Sequence, residues 1–193
     1  MKPTFYISCP IDTYSGYGAR SRDVVKAIIE MDKYDVKILP QRWGATPWGF
    51  IEDHSEWSFL SKLFFQAEHE DWTFMLKHFF HPQPNQQVEK PDIWMQITIP
   101  NEFQPQGHYN IGMTAGIEST VAPADWVQGC SRMNMVLGSS KHSIDVLKAS
   151  TFEKKDERTQ QVIERIQLNP ETKTDVLFEG FDENTSEIIF RNI

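Results

Sequence analysis

The sequence has few cysteines, no excess of basic residues and no long apolar run, and each shortage excludes a class of protein. The two cysteines, Cys9 and Cys130, are far apart in the sequence, which excludes a disulfide scaffold and fits a reducing compartment. The net charge of −8 leaves no basic patch for nucleic acid or anionic membrane. No stretch approaches the roughly 18 apolar residues of a membrane span, and the N-terminus lacks the apolar core of a signal peptide. We therefore expect a cytoplasmic protein.

The composition is that of a globular chain. Hydrophobic residues make up 39% of the 193 residues and charged residues 24%, which separates this chain from disordered sequences. A chain of this length can form one domain with its own core.

The N-terminal segment predicts a strand, a glycine-containing loop, a helix and a second strand. Residues 5–8 form a short β-type run, and residues 12–18 are polar with two glycines. From Ser21 onward, Val24, Ile28 and Met31 follow helical spacing, and residues 36–39 form the second strand. A βαβ unit with a short return implies parallel strands.

The rest of the chain continues this alternation. Aromatic residues concentrate in residues 43–82, and we predict a helical, aromatic-rich insertion at about 46–82, with helices at 59–64 and 72–79. Strands are predicted at 93–99, 110–114, 135–138 and 175–178, and helices after Pro123, after Ser139 or Ser140, and at 153–168. The predicted fold is α/β, a Rossmann-like open, mostly parallel sheet with helices on both faces.

Ligands of such sheets bind beyond the carboxyl ends of the strands, so the loops there hold the candidate residues. The loop after the first strand leads directly into a helix, and the N-terminus of a helix favours the binding of a phosphate or a sugar hydroxyl. A plain strand-to-helix turn is the alternative, because Ser21 replaces the third glycine of the dinucleotide fingerprint and no P-loop lysine follows. This loop reads Ser15-Gly16-Tyr17-Gly18-Ala19-Arg20-Ser21.

Other candidates follow later strands. Glu118 and Ser119 come just after a strand, where Glu118 is either a general base or a cap of the next helix. His142 lies on the loop after the strand 135–138. Trp43 and Trp48 lie on a loop and are candidates to stack on a sugar ring, whereas we assign most other aromatics of this segment to the core.

Metal binding is not predicted. Of the six histidines only His78 and His81 have ligand spacing, and no third ligand is in step with them.

The order of these segments resembles the N-terminal domain of a GT-B glycosyltransferase of the family 4 (group 1) type, including divergent members from marine phage and bacteria. The likeness covers nearly all of the chain. Three segments carry the likeness. The first is the glycine loop, Ser15-Gly16-Tyr17-Gly18, and the second is a helix with tryptophan (Asp125-Trp126-Val127) followed by the strand and serines at 135–140 and the helix residues Ile144 and Leu147. The third, which resembles the segment leading out of the family's first domain, is Val176-Leu177-Phe178-Glu179-Gly180-Phe181-Asp182. The pair Glu179 and Glu187 also fits the spacing of the family's donor-site glutamates, which we interpret as coincidence in a glutamate-rich chain.

The resemblance implies an acceptor-side domain at 1–175 and an interdomain crossover at 176–193, leading to a donor-binding domain that this chain lacks. The partners would be an acceptor, a nucleoside-diphosphate sugar and the missing domain or a partner chain, with no cofactor in this chain. Gly16 and Gly18 would border the donor phosphates, Glu118 the acceptor, and three residues would line the acceptor side: Ser139, Ser140 and His142. The expected substrate-binding set is completed by Ser15, Tyr17, Arg20, Trp43 and Ser119.

Whether this chain alone is an enzyme stays open, and we expect no turnover without the donor-binding domain. One alternative is a non-catalytic α/β binding or assembly module. Another is a nucleotide-binding oxidoreductase domain.

Overall fold

A computed structural model describes residues 2–65 and 90–180. The strands are β1 (Thr4–Cys9), β2 (Asp35–Pro40), β3 (Ile93–Ile97), β4 (Tyr109–Thr114), β5 (Met135–Gly138), β6 (Phe152–Lys155), β7 (Val162–Ile166) and β8 (Lys173–Val176). The α-helices are α1 (Gly16–Glu30), α2 (Phe50–Asp53), α3 (Ala124–Ser131) and α4 (Lys141–Ala149), and 3₁₀ helices span Ser55–Leu63 and Pro100–Glu102.

Six of the strands form one sheet in which every pair is parallel. The order is β2-β1-β3-β4-β5-β8. The chain first moves from β1 outward to β2, then returns past β1 and adds β3, β4, β5 and β8 on the other side. The reversal between β1 and β3 is the place where open α/β sheets bind ligands. The predicted α/β fold with a mostly parallel sheet is confirmed.

Helices pack on both faces of the sheet, as predicted. On one face, α1 and the 3₁₀ helix Ser55–Leu63 enclose a core that includes Ile7, Val25 and Leu60. On the other face, α3, α4 and the loop residue Phe103 pack on Val136 in a second core. Full burial of an aliphatic side chain such as Ile7 or Val136 contributes about 1.5–3 kcal/mol to the free energy of folding. The two cores therefore stabilise the sheet from both of its faces.

The predicted charged helix at 153–168 is wrong, because this segment forms an antiparallel hairpin of β6 and β7. The Asp156 carboxylate accepts the N–H groups of Arg158 and Thr159 at 2.9 and 2.7 Å and closes a turn. These bonds hold the pKa of Asp156 below its ordinary value. Gln160 has a φ of +57°, which ends any helix there. The β-branched residues of the second strand favour extended backbone.

Other boundaries also differ from the prediction, such as the end of β3 at Ile97 rather than at residue 99. Helix α1 begins at Gly16 rather than near Ser21, because Ser15 caps it. The last strand ends at Val176, two residues before Phe178, which is exposed. The segment of the first predicted helix of the insertion, at 59–64, forms the second half of the 3₁₀ helix Ser55–Leu63, and the short helix α2 precedes it without having been predicted. The second predicted helix, at 72–79, lies outside the described residues.

Both thiols are predicted to be unreactive in the folded protein. Burial raises the pKa of Cys9, at the end of β1, and of Cys130, in α3, to about 12. At pH 8 only about one such thiol in ten thousand is a thiolate, the form that reacts. We expect 5,5′-dithiobis(2-nitrobenzoic acid) to titrate neither thiol within minutes in native buffer and both in guanidinium chloride. Stoichiometric reaction of either thiol in native buffer would contradict the burial described here.

Candidate functional site

The turn between β1 and α1 is built from hydroxyl groups that bond one another. The hydroxyl of Thr13, which is fully buried, donates to the carbonyl oxygen of Pro10 at 2.8 Å. Because that donation uses its one hydrogen, the hydroxyl of Ser15 donates to Thr13 at 2.8 Å and accepts the N–H of Gly18 at 2.9 Å. Ser15, predicted to bind substrate, therefore acts as the helix cap and has no hydrogen left for a ligand.

Beneath this turn lies a buried guanidinium. Nη1 of Arg22 donates to the carbonyl oxygens of Ile11 and Thr13 at 2.6 and 3.0 Å, and its Cζ lies 3.4 Å from the centroid of the Phe50 ring. Burial lowers the pKa of Arg22, while the carboxylates of Asp23 and Asp12 act in the opposite direction. An arginine stays charged in a protein, so its bonds to the two carbonyls fix the shape of the turn.

The two glycines of the turn have different roles. A Cβ on Gly18 would clash with the Thr13 carbonyl oxygen and lie 2.9 Å from that of Pro10, so this glycine allows α1 to pack against the turn. Gly16 is exposed, with open space where a Cβ would stand. The N–H groups of Gly16 and Tyr17 lie in the first turn of α1 and have no acceptor within the helix, which leaves them available to an anion.

Tyr17 connects the first turn of α1 with the end of β4. Its hydroxyl lies 3.0 Å from Oγ1 of Thr114 and accepts the N–H of Ala115 at 3.0 Å. Its ring stacks on Trp43, with centroids 4.2 Å apart and planes at 27°. The predicted residue Trp43 is thus half-buried and supports the Tyr17 ring.

A cleft of about 410 Å³ opens between α1 and the carboxyl ends of the strands. Its volume lies within the range of small-molecule sites, roughly 300–1,000 Å³. The predicted residues in its lining are Gly16, Tyr17, Arg20 and Ser139. The other residues of the lining are Ala19, Asp23, Ile97, Met113, Thr114, Ala115, Glu179 and Gly180. The cleft lies beside the reversal of strand order, where the fold directs ligands.

Arg20 links one wall of the cleft to the segment that follows β8. Its Nη2 donates to the carbonyl oxygens of Leu177 and Phe178 at 2.7 and 2.9 Å. Its Nε is enclosed and has no hydrogen-bond partner among the described residues. Asp23 and Glu179 also line the cleft, so its walls carry charges of both signs. The positive charge is that of Arg20, in the second turn of α1.

The two predicted serines after β5 also have different roles. The Ser139 hydroxyl donates to the carbonyl oxygen of Ala115 at 2.5 Å and lines the cleft. Ser140 caps α4 by accepting the N–H of Ser143 at 3.1 Å. Ser143 donates to the same Ala115 oxygen at 3.2 Å, so this loop holds the chain that leaves β4.

The remaining predicted residues do not line the cleft. Glu118, Ser119 and His142 are exposed on the segments that follow β4 and β5. Nε2 of His142 lies 3.2 Å from the carbonyl oxygen of Ser119, so the structure brings these two together. Trp48 is also exposed, beside the turn after β1.

Sequence reasoning missed several residues of the lining. Asp23 lies three positions after Arg20 and hence on the same side of α1, a spacing that could have found it. Thr114 is the last residue of a predicted strand, the position from which side chains reach such a cleft. Glu179 depends on the path of the chain after β8, which no local pattern specifies.

No family model, curated protein or solved structure matches this chain. Within residues 2–65 and 90–180, no group of three or more histidine, cysteine, aspartate or glutamate side chains is placed to hold a metal ion. His78 and His81 lie outside those ranges. None of the described helices combines the length and apolarity that a membrane crossing requires.

The two glycines provide a matched pair of variants. Gly18→Ala forces a Cβ against the Thr13 carbonyl, and we expect it to lower the free energy of unfolding by about 1–3 kcal/mol, as overpacking does. Gly16→Ala adds the same methyl group in open space, so we expect the free energy of unfolding to stay within about 0.5 kcal/mol. Urea unfolding of both variants measures this difference. Equal losses would contradict the packing of α1 against the turn.

Proposed function

We propose that this chain is the acceptor-side half of a glycosyltransferase, which transfers a sugar from a nucleoside-diphosphate sugar to an acceptor hydroxyl. The observation that supports this proposal is the cleft at the reversal of strand order, with the N-terminus of α1 and Arg20 on one wall. The resemblance of the segment order to GT-B enzymes of the family 4 type agrees with it.

The start of α1 suits the diphosphate of the donor. The N–H groups of Gly16 and Tyr17 point away from the helix, and the helix dipole adds about half a positive charge there. Arg20 brings a full positive charge to the same wall. Oriented donors of this kind stabilise the negative charge that develops on the diphosphate as the glycosidic bond breaks.

The acceptor belongs on the side of Ser139 and the segment after β4. Its hydroxyl oxygen forms the new bond to the anomeric carbon, while the departing diphosphate keeps the electrons of the broken bond. Glu118 is our candidate to take the proton of the acceptor hydroxyl. Because Glu118 is exposed outside the cleft lining, this role requires an acceptor that extends over the rim.

In this proposal residues 176–193 are the crossover to a donor-binding domain, which supplies most of the contacts to the nucleotide, and the whole acts in the cytoplasm. The chain alone therefore binds the donor weakly and releases no nucleoside diphosphate at a measurable rate.

Calorimetric titration with UDP- and GDP-sugars tests this proposal. Arg20→Gln removes the positive charge of the cleft. We expect it to weaken donor binding about tenfold, which equals about 1.4 kcal/mol. Arg132→Gln is the matched control. Arg132 also donates to two carbonyl oxygens, those of Phe103 and Asn101 at 2.9 and 3.0 Å, but does not line the cleft. We expect it to leave the affinity unchanged.

Three results would overturn the proposal. Absence of saturable binding of any nucleoside-diphosphate sugar, or equal affinity loss in both arginine variants, would remove the cleft as a donor site. Sustained release of nucleoside diphosphate by the chain alone would show that it is more than half of an enzyme.

A non-catalytic binding or assembly module is the second candidate. It is favoured by apolar side chains that are exposed after β8, where Leu177 is 41% and Phe178 70% exposed. A stable homodimer in light scattering, without nucleotide-sugar binding, would support it. Saturable binding of NADH in a fluorescence titration would instead support an oxidoreductase domain.

A further inference from the structure

Two exposed hydrogen bonds hold the chain that leaves β8 against α1. Nη2 of Arg20 carries two hydrogens and donates to the carbonyl oxygens of Leu177 and Phe178 at 2.7 and 2.9 Å, so both hydrogens are used. Leu177 also donates its N–H to the carbonyl oxygen of Gly138 at 2.9 Å, which keeps it on β5 without Arg20. Within the described residues, the backbone of Phe178 has no hydrogen bond except the one from Arg20. The position of the chain beyond Leu177 therefore depends on Arg20.

These two bonds occupy the nitrogen that an anion requires. A guanidinium binds a phosphate most strongly through two parallel N–H groups. Two edges of the group offer such a pair, one formed by Nε and Nη2 and the other by Nη1 and Nη2. Because both edges include Nη2, an anion can take either of them only when one carbonyl oxygen leaves. That oxygen is the one of Phe178, since Leu177 is also bonded to Gly138.

The Nε–H of Arg20 lacks an acceptor while the two carbonyls are bound. This nitrogen is enclosed and has no hydrogen-bond partner among the described residues. An enclosed donor without a partner destabilises the arrangement in which it occurs. A phosphate on the edge formed by Nε and Nη2 would supply the missing acceptor, so the change of partner satisfies a donor that the carbonyls leave unsatisfied.

The charge of Glu179 acts in the same direction. Glu179 and Gly180 line the cleft together with Arg20. The Glu179 carboxylate repels an anion in the cleft, because like charges at short range disfavour each other. Movement of residues 178–180 away from Arg20 frees the cation and withdraws a negative charge from the same wall.

We propose that residues 178–180 are an autoinhibitory segment, which a phosphate or diphosphate displaces from the cleft when it binds Arg20 through two N–H groups. The proposal rests on the proposed function, because it takes the cleft as the site of the donor diphosphate. Retention of the segment and two-point binding of the anion are mutually exclusive at Arg20. Each therefore weakens the other by the same factor.

Nuclear magnetic resonance relaxation of the full chain with inorganic pyrophosphate, at constant ionic strength, tests this proposal. We expect saturating pyrophosphate to lower the order parameters of the Glu179 and Gly180 amides from about 0.85, typical of ordered backbone, to below about 0.6. The Nε–H signal of Arg20 should shift along the same saturation curve as the Gly16 amide, because one bound anion causes both changes.

Two arginine variants provide the comparison. In Arg20→Gln the order parameters of Glu179 and Gly180 should be low without pyrophosphate and unchanged by it, because the shorter, neutral side chain does not hold both carbonyls. Arg132→Gln is the matched control, since Arg132 also donates to two carbonyl oxygens but does not line the cleft. It should behave as the unsubstituted chain does.

The possible failures are distinguishable. Shifts at Gly16 and Arg20 with unchanged order parameters at Glu179 and Gly180 would overturn the autoinhibitory segment and leave the donor site intact. Absence of any shift at Gly16 and Arg20 would overturn both proposals. Low order parameters at Glu179 and Gly180 in the ligand-free unsubstituted chain, or high ones in ligand-free Arg20→Gln, would show that Arg20 does not hold the segment and would overturn the autoinhibitory role alone.

Discussion

The carbonyl oxygen of Thr13 is the point on which the geometry of the cleft depends. It accepts a hydrogen bond from the buried Arg22 guanidinium at 3.0 Å, and it leaves no room for a Cβ at residue 18. A buried charge without partners costs several kcal/mol, so the position of Arg22 requires this carbonyl to face it. Helix α1 can then approach the turn only with glycine at position 18.

This constraint determines where the first turn of α1 lies and therefore what it reaches. Tyr17 contacts Thr114 at the end of β4, and Arg20 binds the carbonyls of Leu177 and Phe178 after β8. The first turns of α1 thus connect the end of β1 with the ends of β4 and β8, which are distant in sequence. The cleft lies among these connections, so we expect a change at the turn to alter the walls that Tyr17 and Arg20 contact.

The fold could be predicted from the sequence because buried parallel strands and amphipathic helices produce different apolar patterns. The hairpin at 152–166 could not, since the spacing of Val162, Ile163 and Ile166 fits a helix and a strand alike. What decides between them is the turn at Asp156, whose carboxylate bonds two backbone N–H groups. Hydrogen bonds from a side chain to the backbone two or three residues away compete with helix formation. They do not change the spacing of apolar residues, so hydrophobic periodicity does not reveal them.

The candidate site was predictable in position but not in the role of each residue. Strand ends identify the edge of the sheet that forms a cleft, which is why Gly16 and Ser139 were found. Local spacing does not tell whether a hydroxyl faces a ligand or a backbone group, so Ser15 and Ser140 were assigned to substrate although they cap helices. The direction of Glu118 depends on the loop after β4, whose path is fixed by distant contacts to Ser139 and Ser143.

The most direct test of the cleft as a ligand site is a nuclear magnetic resonance titration of the backbone amides with uridine diphosphate. The account predicts that the largest chemical-shift changes occur at Gly16, Tyr17, Ala115 and Ser139 and saturate together. Changes that are absent, or that concentrate instead at Ile28 and Met31 at the far end of α1, would contradict it.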